Sequence, residues 1–313
     1  MSFSASRDPG LRRILDRRIL IRNITLLVSA NRAGWRAALT ATANAMNRTR
    51  AETGYGLLID LDGVLYQGGR MIDGALATLD WIRQQRIAHL FVTNTSSRSR
   101  AALLQKFEAF GFRVESDELM TPIVAAIEYL QQHHARRIAA FVSDDALLEF
   151  DAFEIAAEQA PVPVDAVVVG DLGEAWDFRR LNHAFRFLMQ ETRPPLIALG
   201  MTRYWRGEDG LLLDVAPFVS ALETAADCRA CVVGKPAAAF FDAALTRLGC
   251  PAEQCFMIGD DIQSDIGAAQ ACAVRGIQVR TGKFRESDLQ GDIEPFAMLD
   301  SIADLPGWWR RNL

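Results

Sequence analysis

Short runs of apolar residues recur along the chain from about residue 55, and clusters of polar residues follow them. The clearest run covers residues 55–59 and leads directly into Asp60 and Asp62. Runs of this length that are rich in β-forming residues predict buried strands, and helical patterns between them predict a parallel sheet covered by helices. We therefore predict a doubly wound, Rossmann-like α/β core, in which sites lie at the carboxyl ends of the strands.

Carboxylates follow two of the predicted strands. Asp60 and Asp62 follow the first run, and Asp260 and Asp265 follow a later one. Acids that point into one crevice repel each other, and the usual solution is a hard divalent cation such as Mg²⁺. For the first pair an alternative stays open, because the same residues fit an ordinary turn in which Gly63 supplies a positive φ.

Hydroxyl groups follow another apolar run, at residues 89–92. Thr93 and Asn94 come directly after it, and a helix is predicted from about residue 98. Side-chain hydroxyls and backbone N–H groups at the start of a helix are suited to binding an anion.

Lysine is rare in this chain. Of the 34 lysine and arginine residues, only three are lysines: Lys106, Lys235 and Lys283. Lys235 follows a predicted strand at 231–233, and Pro236 is suited to the first turn of a helix predicted over 240–248. Because arginine serves elsewhere, Lys235 indicates a need for a compact ammonium, which acts as a point charge on a phosphoryl oxygen. A surface lysine before a helix is the alternative.

These four segments, in this order, resemble the haloacid dehalogenase superfamily from about residue 54 to the C-terminus. Its motifs are a DxDGV strand end, a Ser/Thr strand end, a lysine and an acidic strand end. Four further stretches resemble the C2-capped subfamily IIA, which includes NagD-like enzymes and the subgroup containing phospholysine phosphohistidine inorganic pyrophosphate phosphatase: 182–185, 210–215, 257–262 and 279–285.

The resemblance implies a phosphatase mechanism. Asp60 would be the nucleophile that forms an aspartyl-phosphate, and Asp62 would be the general acid and then the general base. Dehalogenases of the superfamily lack the second acid, so Asp62 favours phosphate chemistry over the cleavage of a carbon–halogen bond.

The resemblance also implies how metal and phosphate are held. Mg²⁺ would be bound by Asp60, by the backbone carbonyl of Asp62 and by Asp260. The phosphoryl group would be held by three groups: the Thr93 hydroxyl, the Asn94 backbone and Lys235. Asp265 would contact these residues and not the metal itself, and it would order metal-bound water or Lys235. Asp261 is expected to cap the following helix.

The interval between the second and third motifs is too long for one crossover, so we predict an inserted domain. The predicted organisation has three parts: a basic N-terminal extension at 1–50, a core at 51–120 and 230–313, and an α/β cap of the C2 type at 121–229. Cations and aromatic residues alternate at 203–206, which is typical of a ligand-binding loop, although a surface loop is the alternative. Asp171 and Asp214 can either face the site or cap turns.

Composition narrows the class of protein. A formal charge of −5 gives no basic footprint for nucleic acid, and no apolar run reaches the length of a membrane span. Cys228 and Cys231 have redox-motif spacing, but we expect buried free thiols. Residues 1–50 hold ten arginines and only two acids. This extension resembles an organelle transit peptide, but we favour a poorly ordered arm or a wrongly assigned start codon, and a cytoplasmic protein.

The sequence thus predicts a Mg²⁺-dependent phosphatase that acts on a small phosphorylated molecule or on pyrophosphate. Two alternatives stay open: a phosphotransferase or mutase of the same fold, and a non-catalytic protein that binds a phosphorylated ligand. C2-capped relatives often dimerise through the cap, so a homodimer is a further expectation.

Overall fold

The computed structural model describes residues 54–158, 162–207 and 210–313, with the backbone alone at 205–207. The predictions for residues 1–50 and for the side chains of Trp205 and Arg206 lie outside this part. The strands are β1 (Gly56–Asp60), β2 (Tyr66–Gln67), β3 (Arg70–Met71), β4 (Ala88–Val92), β5 (Leu119–Met120), β6 (Arg137–Phe141), β7 (Glu154–Ile155), β8 (Ala166–Val169), β9 (Leu196–Ala198), β10 (Tyr204–Gly207), β11 (Gly210–Leu213), β12 (Cys231–Val232), β13 (Cys255–Gly259), β14 (Arg275–Val279) and β15 (Ala297–Leu299). The α-helices are α1 (Ala75–Gln84), α2 (Arg100–Ala109), α3 (Pro122–Gln132), α4 (Asp144–Leu147), α5 (Phe178–Leu188), α6 (Ala216–Ala226), α7 (Ala238–Leu248), α8 (Ala268–Ala271) and α9 (Leu305–Asn312).

Six parallel strands form the first sheet, in the order β15-β14-β13-β1-β4-β5. Every residue of β1 is buried. Its side chains alternate between two apolar clusters, with Leu57 and Ile59 in one and Leu58 in the other. A strand covered on both faces needs a continuous apolar run, which explains the pattern seen at residues 56–59. The predicted α/β fold class is confirmed.

A second parallel sheet has the order β12-β9-β8-β6-β7. Helix α3 contributes buried residues to the same apolar cluster as both sheets, so it packs between them. Strand β12 was predicted to belong to the core, but Cys231 pairs with Ile197 of β9 in the second sheet. This pairing covers the edge that β9 would otherwise expose. The division into core and cap at the predicted boundaries stays a prediction.

Helix starts agree with the sequence where a capping side chain is present. Thr121 caps α3, accepting a hydrogen bond of 3.2 Å from the Val124 N–H, and Asp177 caps α5 in the same way. The prediction that Pro236 lies in the first helical turn was wrong. A turn in which the Ala237 N–H donates to the Gly234 carbonyl (2.9 Å) comes first, and α7 begins at Ala238.

The segment after β13 is helical. Helical structure begins at Ile262–Gly267, within the acidic motif itself, with π-type hydrogen bonding, and it continues into α8. Asp261 caps this segment, since its Oδ1 accepts hydrogen bonds from the N–H groups of Gln263 and Ser264, both at 3.0 Å. The predicted capping role of Asp261 is therefore confirmed.

Two further predictions concern the cysteines and membrane-spanning helices. Cys228 and Cys231 are free, as predicted, but they are half-buried rather than buried. Within the described residues, no helix is long and apolar enough to cross a membrane.

Candidate active site

The carboxyl ends of three neighbouring strands form the centre of the site. β13, β1 and β4 are adjacent in the first sheet, and they end at or directly before Asp260, Asp60 and Thr93. All three side chains are buried, with exposed fractions of 2%, 7% and 4%. The sequence prediction that these strand ends converge is therefore confirmed.

Lys235 joins this group from a distant part of the chain. Its Nζ lies 2.5 Å from Asp60 Oδ1 and 2.7 Å from Asp265 Oδ1. The Asn94 side chain fixes its backbone, because Asn94 Oδ1 accepts from the Lys235 N–H (2.8 Å) and Asn94 Nδ2 donates to the Lys235 carbonyl (2.9 Å). The side chain of Asn94 thus positions the lysine, while the contact of its backbone with phosphate stays a prediction.

Thr93 makes local hydrogen bonds. Its Oγ1 donates to Thr95 Oγ1 at 3.0 Å and accepts from the Thr95 N–H at 3.1 Å. Asp62, by contrast, is exposed, in a loop where the Gly63 N–H donates to the Tyr66 carbonyl at 2.7 Å. The exposed Asp62 lies in the chain between the buried Asp60 and Gly63, which approaches Asp260, and we take this position as the mouth of the site.

The buried group contains more carboxylates than cations. Burial raises the pKa of Asp60 to about 8, against the effect of Lys235, and the charges of Asp265 and Asp260 add to this shift. Burial and the Asp265 charge raise the pKa of Asp260 to about 6. Burial alone would lower the pKa of Lys235, but Asp265 and Asp60 outweigh it and raise this pKa. The group therefore retains protons unless a further cation is bound.

Oxygen atoms of Asp60, Asp260 and Asp265 lie within 4.8 Å of one another and could hold a metal ion. A set of buried carboxylates suits a hard cation such as Mg²⁺. Among the described residues, hydrogen bonds engage both oxygens of Asp265 but only one oxygen each of Asp60 and Asp260. Asp60 and Asp260 are therefore better placed as ligands, and Asp265 is better placed to hold Lys235.

Two glycines leave room for Asp260. Gly63 has a φ of 87° and Gly282 a φ of 64°, and a Cβ built on either would collide with Asp260 Oδ2. The Thr281 hydroxyl donates to the Gly63 carbonyl at 2.5 Å, which ties the two loops together. This close cradle fits a site in which a carboxylate must be held in one orientation.

Comparison with known proteins agrees with this geometry. Two family models match, described as haloacid dehalogenase-like hydrolase over residues 57–156 and HAD-hydrolase-like over residues 232–305. A human protein named phospholysine phosphohistidine inorganic pyrophosphate phosphatase is 40% identical over 254 residues, which cover 80% of this chain and 92% of that protein. The chain belongs to the haloacid dehalogenase superfamily. As predicted, it is a phosphohydrolase of this superfamily.

Solved structures of the superfamily share its fold. A p-nitrophenyl phosphatase from Archaeoglobus fulgidus matches with a TM-score of 0.74 at 23% identity, covering 81% of this chain and 98% of that one. NagD from E. coli K-12 matches with a TM-score of 0.72 at 22% identity, covering 80% of this chain and 97% of that one. The predicted likeness to NagD-like members of the superfamily is confirmed.

Lys283 is a residue of this haloacid dehalogenase-like site that the sequence analysis did not select. Its N–H donates to Asp260 Oδ2 at 2.7 Å, and its Nζ lies 3.3 Å from Asp261 Oδ2. Burial lowers the pKa of Lys283, but the surrounding carboxylates, first Asp261 and then Asp260, raise it overall. The scarcity of lysine in the sequence was the signal that could have identified it.

The second sheet and the hairpin β10-β11 supply fewer groups to this haloacid dehalogenase-like site. Asp171 Oδ1 accepts from the Gly173 N–H at 2.8 Å, and Asp214 Oδ1 accepts from the Val215 N–H at 2.7 Å, so both stabilise turns. Burial raises the pKa of Asp214, and the charge of Lys283 opposes the shift. Asp214 therefore lies near the loop after β14 that carries Lys283. Tyr204 is half exposed on β10.

Proposed function

We propose that this protein is a Mg²⁺-dependent phosphatase that acts through an aspartyl-phosphate on Asp60. The observation that carries the proposal is the buried Asp60 carboxylate, with Lys235 Nζ at 2.5 Å and the Asp260 carboxylate beside it. The ammonium orients the carboxylate and offers its charge to a phosphoryl oxygen, so that the negatively charged nucleophile can approach phosphorus.

In the first step, an Asp60 oxygen forms a bond to phosphorus while the bond from phosphorus to the leaving oxygen breaks. Asp62, at the mouth of the site, donates its proton to that leaving oxygen. In the second step, Asp62 takes a proton from water, whose oxygen attacks phosphorus and releases phosphate and the Asp60 carboxylate. Thr93, the Asn94 backbone and Lys235 hold the phosphoryl group in both steps.

Asp60, the Asp62 carbonyl and Asp260 would hold Mg²⁺, and Asp265 would keep Lys235 in place. When bound, the metal neutralises phosphate charge and fixes the in-line geometry. The substrate we propose is a small phosphorylated molecule or pyrophosphate, in line with the names of the human relative and the Archaeoglobus phosphatase. A cytoplasmic location and a homodimer stay predictions.

The test is the release of phosphate from p-nitrophenyl phosphate and pyrophosphate by the purified protein, with Mg²⁺ and with EDTA. We expect the wild-type protein to release phosphate with Mg²⁺ and not with EDTA. Asp60→Asn should release none, because asparagine has nearly the same shape as aspartate but lacks the nucleophilic carboxylate. In the wild-type protein, rapid quenching followed by mass spectrometry of the peptide containing Asp60 should detect one added phosphoryl group. Turnover by Asp60→Asn would contradict the nucleophile assignment, and transfer to an added alcohol instead of water would indicate a phosphotransferase.

A further inference from the structure

Lys106 is the one lysine of the chain that has no role in the site described above. It lies on helix α2, beside the loop that carries Asp62. Its Nζ is 3.7 Å from the centroid of the Tyr66 ring and 5.9 Å from that of Phe110. Tyr66 is 3% exposed and forms a backbone bridge with Asp62. A buried ring of the catalytic loop therefore holds the ammonium at the mouth of the site.

Lys106 differs from the other two lysines in its partners. Lys235 and Lys283 are held by carboxylates at 2.5 to 3.3 Å. Lys106 makes no salt bridge within the described part of the chain, and neither does Arg98, an exposed residue just before α2. Their positive charges are thus available to a ligand.

Lys106 also interacts electrostatically with Asp62 and with Arg98. Burial lowers the pKa of Lys106, the charge of Asp62 raises it, and the charge of Arg98 lowers it. These three groups are therefore close enough to interact. Because Asp62 is the proposed acid, a cation near it lies on the side where the leaving group must be.

The residue type adds an argument from composition. Arginine is the usual cation in this chain, and the two other lysines both pair with acids at the ends of β1 and β13, Lys235 with Asp60 and Lys283 with Asp261. A compact ammonium can rest on a ring and still turn its donors towards an anion, whereas a guanidinium would stack on the ring with its planar face.

We propose that Lys106 determines substrate specificity by binding a negatively charged group on the leaving-group side of Asp62. The proposal rests on the phosphatase function proposed above. It favours substrates that carry a second phosphate or a carboxylate next to the scissile bond, such as a phosphoric anhydride. It disfavours substrates whose leaving group is a basic amine.

The kinetic test compares three substrates whose leaving groups are anionic, uncharged and cationic: pyrophosphate, p-nitrophenyl phosphate and O-phosphoethanolamine. Lys106→Met keeps the length of the apolar stem and removes the charge. We expect kcat/KM for pyrophosphate to fall about tenfold, the effect of losing one hydrogen bond to a charged group, and to fall at least several times less for the other two. Lys106→Arg keeps the charge but stacks its planar face on the ring, so it should retain only part of the preference.

A matched control removes a positive charge elsewhere. Arg113 is 78% exposed and pairs with Glu115 at 3.1 Å, so Arg113→Met changes the net charge equally without touching the site. It should leave the ratio between substrates as in the wild-type protein. Equal losses on all three substrates in Lys106→Met, or no loss on pyrophosphate, would overturn the proposal.

A binding measurement separates this inference from the proposed reaction. In the Asp60→Asn background with Mg²⁺, calorimetry should show that Lys106→Met weakens the binding of pyrophosphate about tenfold more than that of orthophosphate. If the wild-type protein releases no phosphate from any substrate, the proposed function fails, and this measurement still decides the inference. Equal weakening of the two anions would overturn it.

Discussion

The two parallel sheets of this molecule are built alike but treat their acids differently. In the six-stranded sheet, Asp60 and Asp260 follow β1 and β13 and are almost fully buried. In the five-stranded sheet, Asp144 and Asp171 come three and two residues after β6 and β8 end, and they are exposed and half-exposed. Asp171 accepts a hydrogen bond from the nearby Gly173 N–H.

The difference shows that a carboxylate at a strand end is not in itself a catalytic group. In the second sheet, Asp144 is open to solvent and Asp171 accepts a hydrogen bond in a local turn, so neither carboxylate needs a further partner. In the first sheet, burial and crowding raise the pKa values of Asp60 and Asp260, and Lys235 neutralises only part of the charge. Such uncompensated negative charge favours the binding of a metal ion, which could in turn attract a phosphate group.

The largest effect should come from changing one acid in each sheet. Asp260→Asn should lower kcat/KM about 100-fold or more, because it removes a charged ligand of the proposed metal. The same change should raise the melting temperature of the metal-free protein, since it removes one of several carboxylates that repel each other. Kinetic assays and thermal unfolding with EDTA measure the two effects.

Asp171→Asn is the matched change in the second sheet. Asparagine can still accept the Gly173 hydrogen bond, so kcat/KM should stay within about twofold and stability within about 0.5 kcal/mol. If the two variants behaved alike, burial would not be what distinguishes the two sheets.

A smaller effect is expected from two glycines with similar backbone conformations. Gly282 and Gly173 both have positive φ, at 64° and 53°. A Cβ added at Gly282 would collide with Asp260. A Cβ added at Gly173 would have none of the described atoms within 4 Å. Both changes to alanine carry the backbone cost, about 1 kcal/mol. Gly282→Ala should in addition weaken Mg²⁺ binding about tenfold or more.

Titration of each variant with Mg²⁺, followed by thermal unfolding, measures that affinity. Gly173→Ala serves as the control for backbone strain. Equal Mg²⁺ affinities in the two variants would show that the close packing of Gly282 against Asp260 does not matter for the metal.

The same contrast explains what could be predicted from sequence. Strand ends such as Asp60 and Asp260 were predictable, because a buried strand leaves a local signature and parallel strands end on one edge. The hydrogen bonds between the Asn94 side chain and the Lys235 backbone were not, since they join residues 141 positions apart and depend on the finished fold. The pairing of β12 with the second sheet was missed for the same reason.

Lys283 is an intermediate case. Its backbone contact with Asp260 depends on how the loop after β14 folds, which no local pattern encodes. Its residue type was nevertheless informative, because lysine is rare in this chain. The scarcity of lysine was used to predict a role for Lys235 alone, whereas all three lysines lie near acids of the site.

The last expected effect is a pH dependence of stability that arises in the first sheet. The pKa values of Asp60 and Asp260, about 8 and about 6, exceed the ordinary value of 3.8. Between about pH 5 and 8 the metal-free folded state thus holds protons that the unfolded state has lost. Its free energy of unfolding should therefore fall as pH rises, by at most about 1.4 kcal/mol per pH unit for each carboxyl.

Saturating Mg²⁺ should remove this slope, because a bound cation takes the place of the protons. Urea unfolding at several pH values, with EDTA and with Mg²⁺, measures it. Asp60→Asn should flatten the metal-free slope, whereas Asp171→Asn should leave it as it is, because Asp171 lies in the second sheet and is half-exposed. A metal-free stability that rises with pH over this range would mean that Lys235 compensates the buried carboxylates fully, and the contrast between the two sheets would then lie in geometry and not in charge.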